Sequence, residues 1–167
     1  MEGSNDIVLK AFDFDKHYEI VKQLIMNALD EHSFSDPCKV SVEKGLSKIK
    51  EEQQDDKAFI WVAIDNSSDT LIGTITIRPK ILSHRSEYET CELKRFYVAQ
   101  NYRKKGIGRL LYTAAEHFAR EKGYKFIWLT SSRNFNEAKK FYTFNGFKVL
   151  ALRENAWCDN IWEKDLS

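Results

Sequence analysis

The stretch from Cys91 to Gly123 constrains the fold most. It reads CELKRFYV, then AQNYRKKGIG, then RLLYTAAEHFAREKG. The first piece reads as a strand and the second as a basic loop containing Gly106 and Gly108. The third places Ile107, Leu110, Leu111, Ala114, Ala115, Phe118 and Ala119 on one apolar stripe at the helical period. Gly123 stands where a C-terminal cap belongs. Tyr124–Ser131 (YKFIWLTS) is the next strand. A strand, a covering helix and a second strand form a parallel crossover, which is right-handed for steric reasons. A loop that opens a helix also carries unpaired backbone N–H groups, so this stretch is a candidate anion site.

The flanks supply the rest of the sheet. Ile7–Phe12 (IVLKAF) is a short strand, and Asp13 or Asp15 caps a helix running to about His32. Ser33–Lys39 is expected as a turn, with Pro37 barring helix continuation. Val42, Leu46 and Ile49 suggest a second helix that ends in the charged run KEEQQDD. Ala58–Ile64 and Leu71–Arg78 are strands around the turn cluster DNSSDT, hence a hairpin. After the key stretch come a helix over Asn134–Phe144, ended by Asn145–Gly146, and two strands, Phe147–Arg153 and Trp157–Lys164, turning at ENA. The order β-α-α-β-β-β-α-β-α-β-β, with no linker or repeat, predicts one mixed α/β domain over residues 1–167.

Several function classes are excluded by charge and composition. Lys and Arg number 26 against 25 Asp and Glu, which argues against a general nucleic-acid binder. Cys38, Cys91 and Cys158 are odd in number and widely spaced, so neither a disulfide scaffold nor a metal site is expected. His17, His32, His84 and His117 also lack ligand spacing. There is no long apolar run and no basic leader, so a cytoplasmic or nuclear protein that does not enter a membrane is expected.

Arg103-Lys104-Lys105-Gly106-Ile107-Gly108 followed by Arg109 combines glycines, a helix start and basic side chains. It lacks the spacing of a Walker loop and of the dinucleotide fingerprint. The alternative to a phosphate site is a glycine turn with solvated lysines. R-x-x-G-x-G after Phe96-Tyr97-Val98 resembles the acyl-CoA pyrophosphate loop of the GNAT superfamily of N-acetyltransferases. Ala138-x-x-Phe141-Tyr142-x-x-x-Gly146-Phe147 resembles that family's second signature. The order of elements agrees as well.

The resemblance implies a three-layer α-β-α fold, with a central mixed sheet of about seven strands and about four helices. The sheet would be splayed between its fourth and fifth strands. Acetyl-CoA would be the acyl donor, with no metal. The pantetheine arm would pair with Phe96, Tyr97 and Val98, with the Val98 amide near the thioester carbonyl. The pyrophosphate would lie on the amides from Lys104 to Arg109. Tyr142 would protonate the leaving thiolate; otherwise it is a core tyrosine. Glu92 would be the base; otherwise it forms a structural pair with Lys94. Period two puts Glu92, Lys94, Phe96 and Val98 on one face.

Phe135 stands where many members carry asparagine, flanked by Asn134 and Asn136, each of which would contact pantetheine or cap the helix. Gln100 replaces a proline common in the family. Lys139 and Lys140 would reach the 3′-phosphate or remain solvated; Phe34 would border the acceptor pocket or be a core aromatic, and His84 would lie on the substrate's path or be a solvated loop residue. Cys91 is not expected to carry an acyl group. The implied activity is direct transfer, in a ternary complex, to a primary amine, either a small amine or an amino acid. The alternatives are a protein lysine or N-terminus as acceptor, or a non-catalytic acyl-CoA sensor. A homodimer is a family-level expectation.

Overall fold

The computed structural model describes residues 6–132, 134–152 and 160–167, with the side chain of Leu152 left aside. The expected ENA turn, Arg153, Trp157 and Cys158 lie outside the described residues. The elements are β1 (Ile7–Ala11), α1 (Phe14–Glu31), α2 (Asp36–Leu46), α3 (Ile49–Glu52), β2 (Phe59–Asp65), β3 (Thr70–Lys80), β4 (Thr90–Val98), a 3-10 turn (Gln100–Tyr102), α4 (Ile107–Glu121), β5 (Phe126–Ser131), α5 (Asn136–Phe144), β6 (Lys148–Leu152) and β7 (Asn160–Asp165).

Local chemistry accounts for most boundaries. Asp13 caps α1, its carboxylate accepting from the Lys16 N–H at 3.2 Å. Gly123 adopts φ +82 just past α4. Pro37 does not bar a helix. It sits in the first turn of α2, where a missing N–H costs nothing because that group has no intrahelical acceptor. The second expected helix is two pieces, broken at Ser47–Lys48.

The seven strands form one sheet in the order β1-β2-β3-β4-β5-β7-β6. Every pairing is antiparallel except β4 with β5. One core lies between the sheet and α4, with Ile107, Leu111, Tyr112 and Ala115 against Ile75, Ile77 and Leu93. The other lies under α1 and α2, with Val21, Ile25, Leu29 and Leu46 against Ile60 and Val62.

A bulge interrupts β4. Its register with β3 moves from Thr76↔Lys94 to Thr74↔Tyr97, and Arg95 takes φ +52. The extra residue resets the alternation, correcting the expected faces. Phe96 and Val98 pack on the α4 side, whereas Tyr97 joins the core under α1. Glu92 lies on the face away from Phe96, beneath α3. There the Arg78 Nε donates to its carboxylate at 2.9 Å.

The bulge is held from a distance. Arg95 donates to Glu52 at 2.7 and 3.2 Å and to the Gly45 carbonyl at 3.1 Å. Arg78 also binds Glu52 and so links Glu52 to Glu92. A left-handed non-glycine residue costs about 1–2 kcal/mol, and these bonds offset that. Burial opposes ionisation of Glu52, but the hydrogen bonds and charges of Arg95 and Arg78 outweigh it and hold the carboxyl below its ordinary value.

Glu52→Gln is therefore expected to lower stability by about 2–3 kcal/mol in urea unfolding. That lies under the range for a fully buried pair, because the Glu52 side chain keeps 14% exposure. A carboxyl whose folded pKa is depressed stabilises above its unfolded value and loses that stabilisation as pH falls. The gap between wild type and variant should then narrow below pH 4.5, the ordinary value. A gap that is constant with pH would refute the assignment.

Candidate active site

The two parallel strands meet only at Thr90–Phe126, Cys91–Ile127 and Glu92–Trp128. Beyond Glu92 they diverge, while β5 continues its pairing with β7 as far as Ser131↔Asn160. The gap is continuous with a cavity of about 790 Å³ between β4, the end of β5, α5 and the α1–α2 hairpin. Ala99 donates to the Ile72 carbonyl of the β2–β3 side of the sheet at 2.8 Å. Backbone alternation therefore turns Val98, and Phe96 beyond it, away from β3 and toward the gap.

The loop after β4 closes one end. Arg103 is extended, Lys104 has φ +60 and Gly106 has φ +83. Gly106 is the N-cap of α4 and provides no side-chain cap, and the first turn carries no acidic residue. The N–H groups of Ile107, Gly108 and Arg109 thus open an uncapped 15-residue helix. A Cβ on Gly108 would lie 3.6 Å from the Phe96 ring, which places this position on the cleft wall. Lys104, Lys105 and Arg109 are exposed around it.

Arg103 is not one of the solvated cations. Its Nε donates to the Val98 carbonyl at 2.9 Å and its guanidinium grips Glu31 at 2.5 and 2.9 Å. It ties the loop to the end of α1. Its hydrogen bonds hold the Glu31 carboxyl below the ordinary range against burial.

Tyr142 lines the cleft from α5 with 7% of its surface exposed. Its ring packs on Phe147 at 5.5 Å and on Trp162 at 6.0 Å. Burial pushes its hydroxyl well above the ordinary phenol range, and Tyr97 adds to the shift. Glu92 is not brought to this cleft. It borders a second cavity of about 380 Å³ with Glu52, Asp55 and Arg78.

Neither asparagine caps α5. The cap position is Phe135, and no side chain caps the helix. Asn134 donates to the His32 carbonyl at 3.0 Å, so it ties α5 to the end of α1; Asn136 is exposed. Lys140 borders the cleft and pairs with Glu137 at 3.5 Å. His84 is exposed and outside the cleft. Cys91 is buried, its thiol donating to the Phe126 carbonyl at 3.5 Å, and burial pushes the thiol pKa up, as suits an inert residue.

Three cleft residues had no signal of their own in the sequence. His32, at the end of α1, stacks edge-on against Phe135 at 4.7 Å. Phe135 in turn meets Phe34 at 5.1 Å and Tyr97 at 6.1 Å. Lys94 lines the same wall, and burial pulls its pKa below the ordinary lysine value. Phe34, their neighbour on this wall, was expected at the site.

The sequence model of the acetyltransferase (GNAT) family matches residues 25–147. Spermidine N(1)-acetyltransferase of Thermoplasma acidophilum is 35% identical over 112 residues, 66% of this chain and 63% of that protein. A Xenopus tropicalis protein called probable N-acetyltransferase 14 is 32% identical over 90 residues, 54% of this chain. The match spans 41% of that relative's own length, so under two thirds of either relative is covered.

Among solved structures, PaiA N-acetyltransferase of Thermoplasma acidophilum in complex with coenzyme A superposes with a TM-score of 0.75 at 25% identity. The match covers 96% of this chain and 99% of that one. A GNAT-family acetyltransferase from Staphylococcus aureus superposes with a TM-score of 0.82 at 20% identity, over 96% and 99% of the two chains, and shows the shared fold. With the family model spanning β4, the glycine loop and α5 alike, the chain belongs to the GNAT acetyltransferase family.

Proposed function

We propose that the protein transfers an acetyl group from acetyl-CoA to a primary amine, by direct attack with both substrates bound. The observation that carries this reading is the gap between β4 and β5, which opens onto an uncapped helix N-terminus at one end and Tyr142 along its wall. The solved relative holds coenzyme A, and another relative is named for amine acetylation.

The residues present fit the cofactor. The amides from Lys104 to Arg109 suit a diphosphate, and glycine at 108 leaves the seat open. Acetyl-CoA would supply the acyl group as a thioester. The N–H groups of Phe96 and Val98 face the gap and are the donors available to its carbonyl oxygen, where a fixed dipole is most effective as negative charge develops. Tyr142 holds its proton firmly and gives it to the departing thiolate, which needs placement more than acidity.

In this reading Glu92 is a structural residue rather than the base that the family resemblance implies. Arg78 holds its carboxylate, and it faces the second cavity. The amine's proton therefore leaves to solvent, and the rate follows the acceptor's own ionisation. Thiol release from acetyl-CoA over a panel of amines tests the activity directly. Binding of coenzyme A with no amine or peptide acetylated would favour a sensor instead. Glu92→Gln is expected to lower kcat by less than about tenfold, well short of losing a general base. The rise of kcat/KM with pH should be unchanged. A loss of a hundredfold or more together with a shifted pH profile would restore Glu92 as the base.

A further inference from the structure

We infer that the acceptor is a free amino acid with a bulky apolar side chain, whose carboxylate is met by Lys94. This rests on the reading of the cleft as an amine acetylation site. Its acceptor half, toward α1 and α2, is apolar. Phe34 and Phe135 face each other at 5.1 Å, and Ile25, Leu29 and Val42 complete the wall. Such a chamber takes up an aromatic or branched body and desolvates it.

The charges in the cleft run one way. Among the described lining residues Glu137 is the only carboxylate. It stands 76% exposed on α5 and is paired with Lys140. Two of the cations are already satisfied: Arg95 by Glu52, and Arg103 by Glu31. Lys94 differs. Its ammonium lies 4.0 Å from Oε1 of Glu92, while the Arg78 guanidinium takes the other oxygen, Oε2, at 2.8 and 2.9 Å. It is a partly exposed cation on a largely apolar wall, and its ion-pair contact to Glu92 is at the long end of the range. Burial weighs against its charge, and an incoming carboxylate would relieve that cost. A polyamine would bring two or more positive charges into a cleft whose one carboxylate among the described lining residues, Glu137, is exposed and already paired with Lys140. An α-amino acid presents one amine to the gap, one carboxylate to Lys94 and one apolar side chain to Phe34 and Phe135.

The test compares initial rates for phenylalanine, phenethylamine and spermidine using the full chain, with coenzyme A binding measured separately by calorimetry. Phenylalanine should exceed spermidine in kcat/KM by about a hundredfold, the scale of one charge pair gained against one repelled. Lys94→Gln should lower kcat/KM for phenylalanine about tenfold more than for phenethylamine, chiefly through KM. Phe135→Asn should lower both aromatic amines about tenfold, through lost apolar contact. Coenzyme A binding should be retained in both variants. Spermidine equal to or better than phenylalanine would overturn the inference while leaving acetyl transfer intact. An unchanged phenylalanine-to-phenethylamine ratio in Lys94→Gln would overturn the role of Lys94 and the carboxylate with it. If the wild type binds no coenzyme A, or acetylates no amine, the transferase reading falls and this inference falls with it.

Discussion

Gly108→Glu is expected to abolish coenzyme A binding, raising the dissociation constant by about a thousandfold or more, roughly 4 kcal/mol, while the protein stays folded. The two effects have opposite signs for one physical reason. Gly108 is the second residue of α4, at the positive end of the helix dipole. A glutamate there complements the dipole and suits the helix. A Cβ would meet the Phe96 ring at 3.6 Å and Val98 Cγ2 at 4.0 Å, both ordinary contacts. The same carboxylate would occupy the seat of a diphosphate and repel it. Gly106 is a poorer site for the test, because φ +83 would strain any substituted residue and mix folding with binding. Calorimetric titration with coenzyme A, alongside a thermal melt, separates the two. Unchanged binding in Gly108→Glu would refute the phosphate site.

Tyr142→Phe should reduce kcat by about a hundredfold to a thousandfold, the range for a positioned general acid. Coenzyme A binding should stay within about threefold, since the ring and its packing remain. The Phe147 and Trp162 contacts are ring to ring and are kept by phenylalanine. Because burial pushes the phenol pKa upward, the wild-type proton stays in place across the neutral and mildly alkaline range. The wild-type rate should accordingly show no tyrosine-linked decline up to pH about 10, where an ordinary phenol would already be half ionised. Turnover unchanged in Tyr142→Phe would remove it from the chemistry and leave it a core residue.

Much of the frame was legible because it is written in local chemistry. The α1 cap at Asp13, the stripe of α4 and the stop at Gly123 each depend on residues within a turn of one another. The glycine turn at the head of α4 was legible for the same reason. Pro37 reads as a stop in the sequence but lies in the first turn of α2, because proline breaks a helix interior yet is tolerated at its start, and the difference is a shift of a few positions. The asparagines beside Phe135 were expected as pantetheine contacts or caps, yet the amide of Asn134 reaches the His32 carbonyl, 102 residues away. No local pattern encodes such a bond.

The face assignment of β4 failed for a related reason. Strict alternation put Phe96 and Val98 beside Glu92. The bulge at Arg95 reverses that, and it is held by Glu52 on α3, 43 residues earlier. It also separates the roles once ascribed to a single strand face. Glu92 goes to an ion-pair network, and Phe96 and Val98 go to the cleft.

By itself, then, the sequence determined a mixed sheet with a parallel crossover, a basic glycine turn at the head of α4 and a tyrosine four residues before Gly146. These follow from periodicity, capping and backbone freedom, which act over a few residues. Only the tertiary structure decided that β4 and β5 part after Glu92, and that the strand changes face at Arg95. The same is true of the meeting of Lys94, His32, Phe34 and Phe135 on one wall. Those outcomes depend on contacts between segments far apart in the chain, where one ion pair or one ring contact selects between faces that local propensity leaves equal.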